Sequence, residues 1–190
     1  MHRVPISAAR EYQASTSALG SGNLAQAIAH CRKALETDPE NAAAHNDLGV
    51  LYLNQGIVEK ARAEFERATT IQPRLTIAHV NASFALLALE RPTEAESSAR
   101  RALDLAPADR RANLLLGWSL AAQNKYTDTS LISLRLAARE YPEAHLAAAD
   151  VLVHRGSFTE ARGEVEAYLG SDGAAQRSLA KAWLDFLTIK

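Results

Sequence analysis

Cysteine occurs once, at Cys31, in this chain of 190 residues. A single thiol excludes an intrachain disulfide and a cysteine-based zinc cluster. Glycine (9) and proline (6) are scarce, which argues against a collagen-like or disordered chain. No apolar run is long: Leu114–Ala122 is interrupted by Gly117 and Ser119 and stops far short of the ~20 residues of a spanning helix. Membrane insertion is therefore not expected. Excess charge of one sign is missing too, with 21 Lys and Arg against 22 Asp and Glu. That balance supplies neither a basic footprint for nucleic acid nor a solvated acidic arm. The opening residues Met1–Ser7 lack the apolar core of a secretory signal. Nothing in the chain names a compartment, so the cytoplasm is taken by default.

What is plentiful is alanine, about a fifth of the residues and the strongest helix former, which argues against an all-β fold. Proline, though rare, is regular. Pro39, Pro73 and Pro107 are 34 residues apart and Pro142 follows after 35, a period that marks a repeat. With units starting at Ala8, Ala42 and Thr76, alanine recurs in phase at Ala27, Ala61 and Ala95, and again at Ala34, Ala68 and Ala102. Small residues at a fixed phase let one helix backbone approach another while a large neighbour fills the gap. Each unit holds two apolar patterns of helical period, broken near Gly22, Gly56, Glu90-Arg91, Asn124 and Gly156. Asn23 and Ser157-x-x-Glu160 are expected to cap second helices. Pro92 suits a first helical turn, where its missing N–H costs nothing.

The second unit carries Leu48-Gly49, Tyr52, Ala61, Phe65, Ala68 and Pro73 in order, and it closely resembles a tetratricopeptide repeat. Only the usual early tryptophan is replaced, by His45. The third unit is looser, with Ser83, Leu86 and Ala99 at the glycine and aromatic places; the first has Ala14-Ser15 and Cys31 there. The fourth departs after Leu116-Gly117 and Leu120, because Thr129 and Ser133 stand where alanine and an aromatic belong. A local change in stacking is expected around Thr127–Pro142. The resemblance implies an all-α fold: a right-handed α-solenoid of about five helical hairpins within a single domain, about 8–41, 42–75, 76–109, 110–141 and 142–170. Beyond Gly170-Ser171-Asp172-Gly173, a terminal helix over about 174–189 places Leu179, Ala180, Trp183, Leu184 and Leu187 on one face, as an end cap would.

Candidates for chemistry are few. His45, His79 and His145 occupy equivalent places, with Asn113 in the fourth unit. Stacked hairpins lie about 8–10 Å apart, whereas two ligands sharing one zinc at ~2 Å bonds must lie within about 4 Å of each other. A metal ladder is therefore not expected, and these histidines read as half-buried substitutes for tryptophan. Cys31 reads as a packed thiol with nothing nearby to depress its pKa. The pairs Glu64-Glu66 and Glu164-Glu166 read as solvated faces. No phosphate loop, nucleophile elbow or zinc-protease motif is present. No enzyme activity, cofactor or metal is expected.

In the resembled family, first helices line a concave face that holds extended peptides or helices of other proteins. Carried over by position, that face would be lined by Tyr12, Asn46, Val50, Leu53, Asn54, Val80, Asn81, Phe84, Leu87, Leu114 and Trp118. Val50, Phe84 and Trp118, spaced by 34 residues, form its spine, with Asn46, Asn54 and Asn81 as polar handles. Members that capture acidic tails use cationic donors on this face. The corresponding places here hold Tyr12, Thr16, Asp47, Ile77 and Asn81, so that mode is disfavoured. The expected function is a non-catalytic protein–protein interaction scaffold binding an apolar or amphipathic segment of another protein. The alternative is an assembly module that self-associates through its apolar face or its final helix.

Overall fold

The computed structural model describes residues 5–172 and 175–189, the side chain of Ile189 excepted. Gly173 and Ala174, expected at the start of the final segment, lie outside the described residues, as do Met1–Val4. Eleven helices follow one another among the described residues: α1 (Ile6–Gly20), α2 (Leu24–Thr37), α3 (Ala42–Asn54), α4 (Val58–Ile71), α5 (Thr76–Ala88), α6 (Pro92–Leu105), α7 (Arg110–Ala122), α8 (Asp128–Ala137), α9 (Glu143–His154), α10 (Phe158–Gly170) and α11 (Arg177–Ile189). They form two compact units, one ending at Arg91 and the other starting at Pro92.

The breaks between paired helices share one geometry. Gly22, Gly56 and Gly156 have φ between +74° and +77°, and Glu90 and Asn124, at the same place in their units, have φ of +56°. The left-handed residue lets the N–H of the residue after it turn back on the helix: Asn23, Ile57, Arg91, Lys125 and Ser157 each donate to a carbonyl five residues earlier, at 2.9 Å. Carbonyls that a helix end would leave orphaned are thereby satisfied. Asn23, Asn41, Asp109 and Thr127 then cap the following helices by accepting from the amides of Gln26, Ala44, Ala112 and Ser130. Ser157 makes no such bond, contrary to expectation. Its backbone stands at a ψ of 60°, against 169° at Thr127, the hydroxyl residue that does cap its helix.

In the first unit, the core joins Ala27, Ile28 and Cys31 of α2 to Leu48, Leu51 and Tyr52 of α3 and to Ala61 and Phe65 of α4. Gly49 explains the phase of the small residues. A Cβ built there would lie 2.5 Å from the Phe65 ring, which is completely buried. In the second unit Gly117 stands in the same relation to Leu134, again at 2.5 Å. The residue filling the gap is thus Leu134 and not Ser133, one place later than the repeat predicts. Ser130 and Leu134 take the inward places forecast for Thr129 and Ser133, and Ala137 follows them inward; all three are 0% exposed. This one-residue slip follows from the late start of α8 at Asp128, and it leaves Ile132 and Leu136 exposed. At the end of the chain α11 packs on α10 through Ala180 and Leu187, while Leu179, expected on that face, is 52% exposed.

The in-phase histidines hold the turns between repeats. His45 Nε2 donates to the Pro39 carbonyl at 3.0 Å, His79 Nε2 to that of Pro73 at 3.0 Å, and Asn113 Nδ2 to that of Pro107 at 3.4 Å. His45 also sets Nδ1 against Glu64 Oε2 at 2.6 Å. A carbonyl and a carboxylate can only accept, so the two contacts together favour the doubly protonated ring. His145 Nδ1 meets Glu164 at 2.7 Å, and Arg135 Nε reaches the other oxygen at 2.6 Å. Glu64 and Glu164 are accordingly clasps within their hairpins, not solvated carboxylates; Glu164 is only 8% exposed.

Two outcomes are expected. Gly49→Ala forces Phe65 off its site and lowers unfolding free energy by about 1–3 kcal/mol, read from urea denaturation. Burial pulls the His45 pKa down, but the bonds to Glu64 and Pro39 and the Glu64 charge outweigh it and leave the pKa raised. The native state therefore holds a proton that the unfolded chain releases near its ordinary value of about 6.5. This contribution is complete below that value and is lost as pH rises through the raised folded value. The urea midpoint should fall as pH rises from about 6.5 through that raised value, and His45→Gln should flatten that part of the profile.

Candidate functional site

The first helices of the N-terminal unit are joined by a row of side-chain hydrogen bonds. The Tyr12 hydroxyl of α1 donates to Asp47 Oδ2 on α3. Asn46 Nδ2 donates to Asp47 Oδ1 at 3.2 Å, and Asn81 Nδ2 of α5 donates to Asn46 Oδ1 at 2.9 Å. The row thus runs from α1 through α3 to α5. It exists because the fifth and sixth places of successive repeats carry groups of complementary hydrogen-bonding type. Tyr12 stays protonated, since burial first and then the adjacent Asp47 raise its pKa.

Beside this row, α1 and α3 enclose a cavity of about 440 Å³ lined by Tyr12, Ser15, Thr16, Leu19, Asp47, Val50 and Leu51. Its walls are mixed. Leu19, Val50 and Leu51 supply apolar surface, and Asp47 supplies a half-buried carboxylate. Ser15 Oγ is already committed as a donor to the Ala27 carbonyl at 2.8 Å, and Thr16 Oγ1 to that of Tyr12 at 3.2 Å. Leu19 (43%) and Phe84 (38%) are open to solvent, and Val50, Leu53 and Leu87 are half-buried. In the second unit Trp118 is half-buried against the local core, and Tyr126 stacks on His154 with ring centroids 4.0 Å apart.

Nucleophilic chemistry finds no support at Cys31. The thiol is fully buried, faces the Ala44 carbonyl at 3.4 Å, and is pushed up to about 12 by burial first and then by the Asp47 and Glu64 charges. Among the described residues no group of three His, Cys, Asp or Glu side chains could hold a metal ion. Among the same residues no helix is long and apolar enough to cross a membrane.

Paired helices of fixed period, packed through small residues, define an α-helical repeat protein. A tetratricopeptide repeat profile matches residues 12–75 and 85–128, and the chain belongs to the tetratricopeptide repeat family. Proteins of this family are interaction scaffolds, generally without catalytic activity. Solved structures share the fold at low identity. YrrB, described as a TPR protein with an unusual peptide-binding site, superposes with a TM-score of 0.79 at 21% identity, covering 92% of this chain and 90% of its own. MamA from Desulfovibrio magneticus RS-1 gives 0.80 at 16%, covering 92% of this chain and 99% of its own. PilW, a type IV pilus biogenesis factor, gives 0.72 at 24%, covering 87% and 77%. No curated protein matches the chain.

The structure separates the eleven residues carried over by position. Val80 (1%), Asn81 (4%), Asn46 (6%) and Leu114 (4%) are sealed in the packing, so they are not surface contacts, and the two asparagines are not free handles. For the asparagines the physical reason is that α3 and α5 lie close enough for Asn46 and Asn81 to meet each other. Tyr12 and Val50 line the cavity; Leu53, Leu87 and Trp118 are half-buried, and Asn54 and Phe84 are exposed. Ser15, Leu51 and Asp47 were not among the expected contacts. Asp47 lies 35 residues after Tyr12, just outside the 34-residue register, and only its charge could have singled it out. Asn81→Ala should act on stability: it leaves a buried Asn46 oxygen without its donor and costs about 1–3 kcal/mol, measured by thermal or urea unfolding.

Proposed function

We propose that this protein is a non-catalytic scaffold that holds an apolar or amphipathic segment of another protein against the inner side of its first helices. In the N-terminal unit the contacts are Leu19, Val50, Phe84 and the mouth of the cavity beside Tyr12; Asn54 offers an amide at the edge. In the C-terminal unit Trp118 is the corresponding aromatic. One observation carries the reading. A cavity of about 440 Å³ opens between first helices of the repeats, with Leu19, Val50 and Leu51 as its apolar flank. Its size is that of a side-chain or small-ligand pocket, and mixed apolar walls with a few polar groups are what recognition of a peptide requires. Exposed aromatic and aliphatic groups such as Phe84 and Leu19 are the kind of anchors on which binding energy concentrates.

The test uses the full chain and peptides selected against it from a random displayed library, with affinities then measured by fluorescence anisotropy. Val50→Glu combined with Phe84→Glu should weaken these peptides by a factor of about 100 while helical circular dichroism is retained, because two buried contacts are replaced by desolvated charges. Undiminished binding refutes the assignment. Peptides that bind nowhere, together with sedimentation as a dimer that the same substitutions dissolve, would establish self-assembly through this face instead.

A further inference from the structure

The hydrogen-bond inventory of the cavity between α1 and α3 is one-sided. Every hydroxyl on its lining is spent as a donor inside the protein: Tyr12 to Asp47, Ser15 to Ala27 and Thr16 to Tyr12. What remains facing the space is acceptor capacity. An ionised carboxylate offers about four lone-pair sites. Asp47 uses one on Tyr12 and one on Asn46, so about two remain. The hydroxyl oxygens of Tyr12, Ser15 and Thr16 keep lone pairs as well. Asp47 is the only acidic or basic residue on the lining, and the partners it has there are the neutral donors Tyr12 and Asn46.

An acidic or neutral acceptor group has nothing to bond with in such a space, whereas a cation with several N–H donors does. The walls narrow the choice further. Leu19, Val50 and Leu51 offer a greasy flank to something that must reach a carboxylate beside them. Lysine and arginine side chains join an aliphatic stem to a cationic head, and they habitually lay the stem on apolar surface while the head finds its partner. The volume of about 440 Å³ is ample for one such side chain with its bound water.

We infer that this cavity receives a lysine or arginine side chain of the bound segment, its stem along Leu19, Val50 and Leu51 and its head on Asp47. The inference rests on the peptide-binding reading above and adds the charge of the partner. The chain is thereby assigned basic-apolar segments and set against acidic tails, for which its inner face lacks donors. Tyr12 acts as a positioning residue, fixing the Asp47 carboxylate by its hydroxyl bond.

The experiment takes the displayed-library peptides to the wild-type chain and to Asp47→Asn, a near-isosteric change that keeps an oxygen for Tyr12. Peptides selected on the wild type should carry Lys or Arg next to an apolar residue. Replacing that Lys by norleucine, which keeps the stem and removes the charge, should weaken binding about tenfold, and so should Asp47→Asn. Applying both changes should cost little more than either alone, because both remove the same interaction. Wild-type affinity should fall as salt rises from about 50 to about 500 mM, and that of Asp47→Asn should stay nearly flat. Selected peptides without a basic residue, or additive losses in the cycle, overturn the basic anchor. If such peptides are still lost on Val50→Glu with Phe84→Glu, the peptide-binding surface itself stands. If neither set of variants affects binding, or no peptide is selected, both readings fall.

Discussion

The close approach of Gly49 to the Phe65 ring is the contact on which the N-terminal unit depends. A hairpin of two short helices buries little by itself, and helices of 13 or 14 residues are marginal alone. Stability comes from packing, and packing at this distance requires that one partner lack a side chain where the other places a large one. The C-terminal unit solves the same problem with Gly117 and Leu134. Because the constraint is steric, it fixes phase: alanine or glycine must recur at the same place, and whatever shifts the filling residue shifts its whole helix. The slip in α8 shows this, since a one-residue change of register brings Ser130, Leu134 and Ala137 inward together and turns Ile132 and Leu136 out.

That packing also decides which polar groups are available to a partner. First helices that approach closely bring Asn46 and Asn81 within bonding distance, and an amide pair that satisfies itself has no reason to face water. The same row places Tyr12 on Asp47, which leaves the carboxylate oriented and only partly used. A surface that might have offered neutral amides therefore offers one acid beside aliphatic walls. Histidine plays a different part in the same scheme. By bonding the carbonyl of a proline six residues earlier, His45 and His79 tie the end of one hairpin to the start of the next. Their recurrence reflects that structural task.

Helical breaks were legible from single residues, because a left-handed turn selects glycine, or asparagine at Asn124, and because proline ends a helix. Glu90 is the exception, held at positive φ by the turn it must complete. The alanine phase, the period and the family were equally legible, since each is a local steric requirement repeated along the chain. Less of the candidate site could be read. Position within the repeat marks which helix face a residue occupies, but not how deep the neighbouring helix leaves it. Val80 and Phe84, one helical turn apart on α5, differ in exposure from 1% to 38%.

By itself, then, the order of residues determined an all-helical repeat, the places of its turns and the small-to-large pairing inside its hairpins. These follow from backbone conformation and side-chain volume, which act over a few residues. Tertiary structure alone decided that the asparagines would bond each other, that Glu64 and Glu164 would serve as clasps, and that Asp47 would stand, held by Tyr12 and Asn46, beside a cavity with an aliphatic flank. Each of those outcomes depends on the distance between groups 19 to 35 residues apart, which is set by how tightly the helices pack.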